Sequence, residues 1–217
     1  MATSSVGKTL LVPTPYAVKL AFLDAAFRAG LAEADCAHLV TALAQVEVRL
    51  SPPAAAVVTN TFVKVRQENR DKDTVLAQPY GPNIAYRELV YLAGRWRWAF
   101  DLRAASTELK ETLRQLAPHV AYIGKRGCFV QYVGACWVAE PGGEFTQPVQ
   151  NHSPWEVPER SHVAFLDDFG PEASLAVLSS YTTASVKRDR HRQFVPTIVP
   201  LGQANTGPGF MLYSRGV

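Results

Sequence analysis

Cysteine is scarce. The 217 residues hold three, Cys36, Cys128 and Cys136, an odd number at wide spacing. Such a set builds no disulfide framework and points to a reducing, cytoplasmic setting. Long apolar runs are missing as well. No stretch approaches the ~20 residues that a membrane-spanning helix needs. Pro13 and Pro15 break the run Leu10-Leu11-Val12, so no signal peptide is expected. Neither sign of charge dominates: 22 Lys+Arg against 19 Asp+Glu leave a net +3. So small an excess does not imply nucleic acid, and such an argument has to rest on where the cations sit.

Several chemistries lack their residues. His38, His119, His152, His162 and His191 never stand beside another His or Cys at ligand spacing, and Cys128 and Cys136 have no partner pair. No metal site is expected. Asp167-Asp168 with Glu172 reads as the approach to a turn at Gly170-Pro171 rather than as a cation site. There is no Gly-x-Ser-x-Gly elbow, and position nominates no catalytic triad. Val6-Gly7-Lys8-Thr9 is like the end of a phosphate loop, but Ala2 stands where that motif needs its first glycine. The glycine-rich stretch 201–209 lacks the strand–loop–helix setting of a dinucleotide site. No cofactor is expected.

What is present supports a folded core: hydrophobic residues make up 47% of the chain and charged ones 19%. The length suits one large domain or two small ones. Residues 9–12 read as a short strand. Thr14-Pro15 is a helix start, with Thr14 as cap, and the helix over 16–29 stops at Gly30. A second helix covers 33–44. Residues 45–50 alternate, with Val46, Val48 and Leu50 on one face, as a half-covered strand does. Residues 54–87 show poor periodicity and read as a protruding hairpin or lobe. Residues 89–101 form a strand whose Trp96, Trp98 and Phe100 face the core, 104–117 an amphipathic helix, and 119–123 another strand.

This order, β-α-β-β-α-β, predicts an α+β chain with a ferredoxin-like domain over residues 1–139, carrying an inserted thumb-like lobe at about 54–87. Residues 140–217 read as a smaller β-rich part, with short strands at 161–166, 174–178, 182–187, 193–201 and 210–214.

The cations gather on turns and lobes. Gly124-Lys125-Arg126-Gly127 sets two cations between two glycines, between flanks of strand character. Free backbone N–H groups and paired cations suit a phosphate. Lys64, Arg66, Arg70 and Lys72 lie on the lobe, Arg95 and Arg97 on a strand, and Lys187, Arg188, Arg190 and Arg192 in the densest basic run. Tyr16 and Lys19 stand in the first turns of the first helix, where backbone donors are free. Tyr80, Tyr86, Phe129 and Tyr132 lie nearby. Cations to hold phosphates and aromatics to stack splayed bases suit single-stranded RNA. Metal-free RNA cleavage needs a base, an acid and a cation. His119, Tyr122 and Lys125 are close in sequence, but His119 and Tyr122 are three apart on a strand and face opposite ways.

The start Leu10-Leu11-Val12-Pro13-Thr14-Pro15-Tyr16-Ala17-Val18-Lys19, the apolar helix ending at Gly30, the lobe at 54–87 and the turn Tyr122-Ile123-Gly124-Lys125-Arg126-Gly127 resemble the CRISPR-associated RAMP proteins. The similarity is to the fifth Cas family, the subunit at the foot of type I Cascade complexes. It implies a ferredoxin-like domain with a β-rich extension, a ribonucleoprotein role in antiviral defence, and partners in the crRNA 5′ handle and the backbone and large Cascade subunits, with target DNA reached through them. It implies Lys64, Arg66, Arg70 and Lys72 on a thumb, Tyr16 and Lys19 at the first helix, and Lys125 and Arg126 near the handle. One branch of that family is a metal-independent endoribonuclease whose pattern has a Lys-His pair. This chain has Lys125-Arg126, which favours a non-catalytic role.

Overall fold

The computed structural model describes residues 6–7, 9–68, 79–124, 127–151, 160–179 and 183–216. Thr14 opens α1 (Pro15–Arg28): its hydroxyl accepts from the Ala17 N–H at 3.2 Å, and Pro15 occupies the first turn, where a missing N–H costs nothing. Gly30, at φ 84, ends the turn that follows. α2 (Glu33–Ala44) packs back on α1. Val18, Phe22, Ala25 and Ala26 meet Cys36, Leu39, Val40 and Leu43 in the larger core.

Ser106 caps α3 (Thr107–Leu116), accepting from the Leu109 N–H at 3.1 Å, and Leu109, Leu113 and Leu116 join that core at helical spacing. β2 (Val48–Ser51) pairs antiparallel with β5 (Arg97–Phe100). Their core face carries Trp98 and Phe100, whose rings meet Phe22 edge-on at 6.4 and 5.2 Å.

Among the described residues the main sheet runs β1 (Val6–Gly7), β4 (Tyr80–Leu92), β3 (Ala55–Glu68), β10 (Phe210–Ser214), β9 (Gly202–Gly207). β1 is parallel to β4 and the other pairs are antiparallel. A smaller sheet orders β6 (Gln147–Pro148), β8 (Arg192–Val199) and β7 (His162–Phe169), and β7 packs against α1. The one-turn α4 (Leu175–Leu178) follows β7. A second core joins Leu11, Val12, Ala56 and Val58 to Leu166, Val199 and Leu201. The chain is thus a mixed fold with antiparallel sheets, of the α+β class. No helix among the described residues is long and apolar enough to cross a membrane.

Local chemistry redirects several predicted elements. Residues 9–12 form no strand; Leu11 and Val12 are buried as irregular chain ahead of Pro13 and Pro15. The strand expected over 119–123 is a 3-10 turn at Ala117–His119, where Pro118 withholds a ladder donor, followed by a single bridge Tyr122↔Phe129. The strand expected over 89–101 is two elements, the end of β4 and β5, because the chain turns at Gly94, φ 129. Residues 174–178 are helical rather than extended. Residues 183–187 lie outside any strand, and Thr182 of that predicted strand lies outside the described residues. The glycine-rich stretch 201–209 is a hairpin, β9 returning into β10 through Gly209 at φ 81.

Candidate nucleic-acid interface

β3 and β4 run on beyond the core as a two-stranded ribbon. β3 has 14 residues, about 45 Å of strand. Ala56 and Val58 are buried at its base, while Phe62 on the same face is 72% exposed. Residues opposite one another in an antiparallel pair share a face, and so do alternate residues along each strand. The register Phe62↔Tyr86, Lys64↔Ile84, Arg66↔Pro82, Glu68↔Tyr80 therefore puts three aromatics and two cations on one face. Phe62 and Tyr86 meet edge to face at 5.1 Å, and Tyr80 and Ile84 stand open at the far end. Among the described residues neither Lys64 nor Arg66 has a carboxylate within ion-pair reach. Two free cations between stacking groups can hold phosphates while bases lie on the rings. Arg70 and Lys72, read onto the same lobe, lie outside the described residues.

The turn read around Lys125 and Arg126 is framed but not described at its tip; both residues lie outside the described set. Gly124 and Gly127 take φ 67 and φ 99, a left-handed conformation that suits glycine. The Ile123 N–H donates to the Cys128 carbonyl at 3.1 Å and the Val130 N–H to the Ala121 carbonyl at 2.9 Å. A clamp from α1 holds the base. The Tyr122 hydroxyl donates to Asp24 Oδ1 at 2.9 Å, Arg28 Nε to Asp24 Oδ2 at 2.7 Å, and a second Arg28 nitrogen to the His119 carbonyl at 2.6 Å.

The basic run before β8 is a turn with Asp189 at φ 65, a conformation that Asp tolerates. Two of its cations are already engaged. Arg190 Nε donates to both carboxylate oxygens of Glu172, at 2.8 and 2.9 Å. Arg192 Nε donates to Asp167 Oδ2 at 2.7 Å, and its guanidinium lies 4.7 Å from the Tyr16 ring and 5.5 Å from the Phe194 ring. Arg188 stacks on Phe194 at 5.4 Å and is exposed, as is Lys187. The fold thus brings Tyr16 of α1 to Arg192 of β8. Burial pushes the Tyr16 phenol up, with Arg192 opposing.

Lys19 requires a correction. Its place in the first turns of α1 suggests a cation open to RNA, but its side chain is 0% exposed, so an RNA phosphate has no access to it. Its Nζ lies 2.7 Å from Asp168 Oδ1 and 5.6 Å from the centre of the Phe169 ring. Burial lowers the Lys19 pKa and raises that of Asp168, each against the pull of its partner.

Sequence reasoning passed over Phe62, which alternates with Lys64 and Arg66 at the strand period and was legible on that ground. Among the described residues no group of three His, Cys, Asp or Glu side chains gathers as a metal site would require. No protein-family model matches the chain, and no curated protein gives a match.

Proposed function

We propose that the chain is a non-catalytic RNA-binding subunit of a type I CRISPR Cascade complex, holding the crRNA 5′ handle and anchoring neighbouring Cas subunits. The observation that carries the RNA part is the ribbon face, where Phe62, Tyr86 and Tyr80 share one surface with Lys64 and Arg66, which have no ion-pair partner among the described residues. That combination fits single-stranded RNA, whose unstacked bases need π-surfaces and whose phosphates need cations. The subunit role follows from the resemblance of the first helix, the lobe and the Gly124–Gly127 turn. A ferredoxin-like arrangement belongs to the same reading, supported only by the packing of α1 and α3 with the antiparallel pair β2–β5 in one core. Target DNA is met through the other subunits.

Purification of the tagged chain from its native host, with sequencing of bound RNA, tests the reading. Short RNAs sharing one 5′ end, together with other Cas subunits, are the expected result. Protein free of both overturns it.

A further inference from the structure

One rung of the ribbon face is neither apolar nor cationic. Asn60 of β3 lies opposite Glu88 of β4, on the face that carries Phe62, Lys64 and Arg66. Toward the core the next rung of that face is Val58↔Val90, and toward the tip it is Phe62↔Tyr86. Glu88 is half-buried, and the Thr9 N–H donates to its Oε2 at 3.0 Å. Among the described residues no cation lies within ion-pair reach of Glu88. Asn60 Oδ1 is buried and finds no donor among the described residues. An acceptor left open in this way calls for a partner. A carboxylate without a cation is also out of place on a surface that gathers phosphates, since like charges oppose one another.

The order along the face says which partner fits. Arg66 and Lys64 stand outermost, Phe62 and Tyr86 follow, and Asn60 and Glu88 come one rung further in. Successive rungs of one face are ~7 Å apart along a strand, comparable to the span of a purine. A nucleotide whose phosphate lies on Lys64 or Arg66 and whose base lies on the two rings therefore turns the far edge of that base toward Glu88. In single-stranded RNA this is the Watson–Crick edge, open for reading. A carboxylate only accepts, so it selects bases by their donors. Guanine offers two side by side, the ring N1–H and the 2-amino group, a match for the two oxygens of one carboxylate. Adenine and cytosine each offer one amino group beside a ring acceptor. Uracil offers one N–H between two carbonyls, which a carboxylate repels. The Thr9 N–H takes up one of the carboxylate's lone-pair sites, so both oxygens can still accept from a base.

We propose that Glu88 is the base-reading residue of the ribbon, selecting guanine at the nucleotide stacked on Phe62 and Tyr86. This preference presupposes that the ribbon binds single-stranded RNA, and it adds sequence selectivity to that binding. Asn60, across the rung, borders the same base edge.

Anisotropy of labelled RNAs tests it, with the full chain and with Glu88→Gln. Three RNAs are uracil throughout except for a central guanine, hypoxanthine or adenine, and a fourth is all uracil. Adenine is the reference, since it stacks as a purine but lacks the second donor. The wild type is expected to bind the guanine RNA more tightly than the adenine RNA by roughly 5- to 150-fold, the range of one bidentate base contact. Hypoxanthine, which keeps N1–H and lacks the 2-amino group, is expected close to adenine. In Glu88→Gln the ratio of guanine to adenine is expected to fall toward one. The amide still accepts from the Thr9 N–H, but it turns its own amino group against a donor. Equal binding of the guanine and adenine RNAs by the wild type overturns the assignment of Glu88 and leaves the RNA reading standing, as does a preference that survives Glu88→Gln. Failure to bind any of the four RNAs overturns the RNA reading, and the guanine preference with it.

Discussion

Lys19 Nζ and Asp168 Oδ1 stand 2.7 Å apart where α1 meets β7, and the lysine side chain is completely buried. Removing one partner strands a charge inside. Lys19→Met is expected to cost about 3–5 kcal/mol, while Lys19→Met with Asp168→Leu restores wild-type stability or exceeds it by ~1–4 kcal/mol. Urea unfolding of the three proteins measures both.

The same pair gives a pH signature. Asp168 is raised in the folded state, so its stabilisation is present below about pH 3.9 and is lost as pH rises through its folded value. Lys19 is lowered, so its stabilisation is present above about pH 10.4 and is lost as pH falls through its folded value. Both shifts make the charged pair a cost at neutral pH. The stability advantage of the apolar double variant is therefore expected to be largest near neutrality and to narrow toward acid and alkali. An advantage independent of pH contradicts this.

Arg192 fastens the start of β8 to β7 through Asp167 and to α1 through the Tyr16 ring, with the Phe194 ring of its own strand beside it. Arg192→Ala leaves Asp167, 8% exposed, without its cation. A loss of about 1–3 kcal/mol is expected, below that of a fully buried pair because Arg192 itself is 42% exposed. Arg192→Lys restores little of it, since an ammonium does not stack as a guanidinium does. Thermal melts of both variants decide the matter.

Tyr122→Phe deletes the hydroxyl that donates to Asp24, which keeps its bond from Arg28. About 1 kcal/mol of stability is expected to go. Hydrogen exchange is expected to quicken at the Val130 N–H, whose bond to Ala121 closes the base of the turn.

How far the sequence reveals all this depends on the range of the forces involved. The helices were legible because the cap of α1 at Thr14 and the apolar spacing of α2 and α3 are local, although the cap at Ser106 falls inside the 104–117 expected for α3. The ribbon was legible as a protruding hairpin or lobe over 54–87, though its register and its reach to Leu92 were not, since they are set by residues up to 36 apart, as in Ala56↔Leu92. Nothing local marks Lys19 as buried, because its partner lies 149 positions away, in a strand whose Asp167-Asp168 reads as the approach to a turn. Two adjacent carboxylates inside the apolar run from Val163 to Phe169 were the available sign that cations would be drawn to them. The meeting of Tyr16 with Arg192 left no local trace, because each suits a surface position on its own element.

Phe62 offers a probe of the ribbon that stability does not confound, since its side chain is largely in water. Phe62→Ala is expected to weaken single-stranded RNA by ~1–3 kcal/mol, roughly 5- to 150-fold, and Phe62→Trp to retain binding. Unfolding midpoints are expected to stay within about 0.5 kcal/mol of wild type. Equal binding by Phe62→Ala and Phe62→Trp contradicts a stacking role.

The most direct test is the anisotropy of a labelled single-stranded RNA, titrated at several salt concentrations with the wild type and with Lys64→Glu, Arg66→Glu. The account predicts weaker binding by the double variant at every salt concentration. Its plot of log affinity against log salt is expected to be shallower by about 1.4, the contribution of two phosphate contacts on a single strand. A well-folded double variant with wild-type affinity and an unchanged slope contradicts the account.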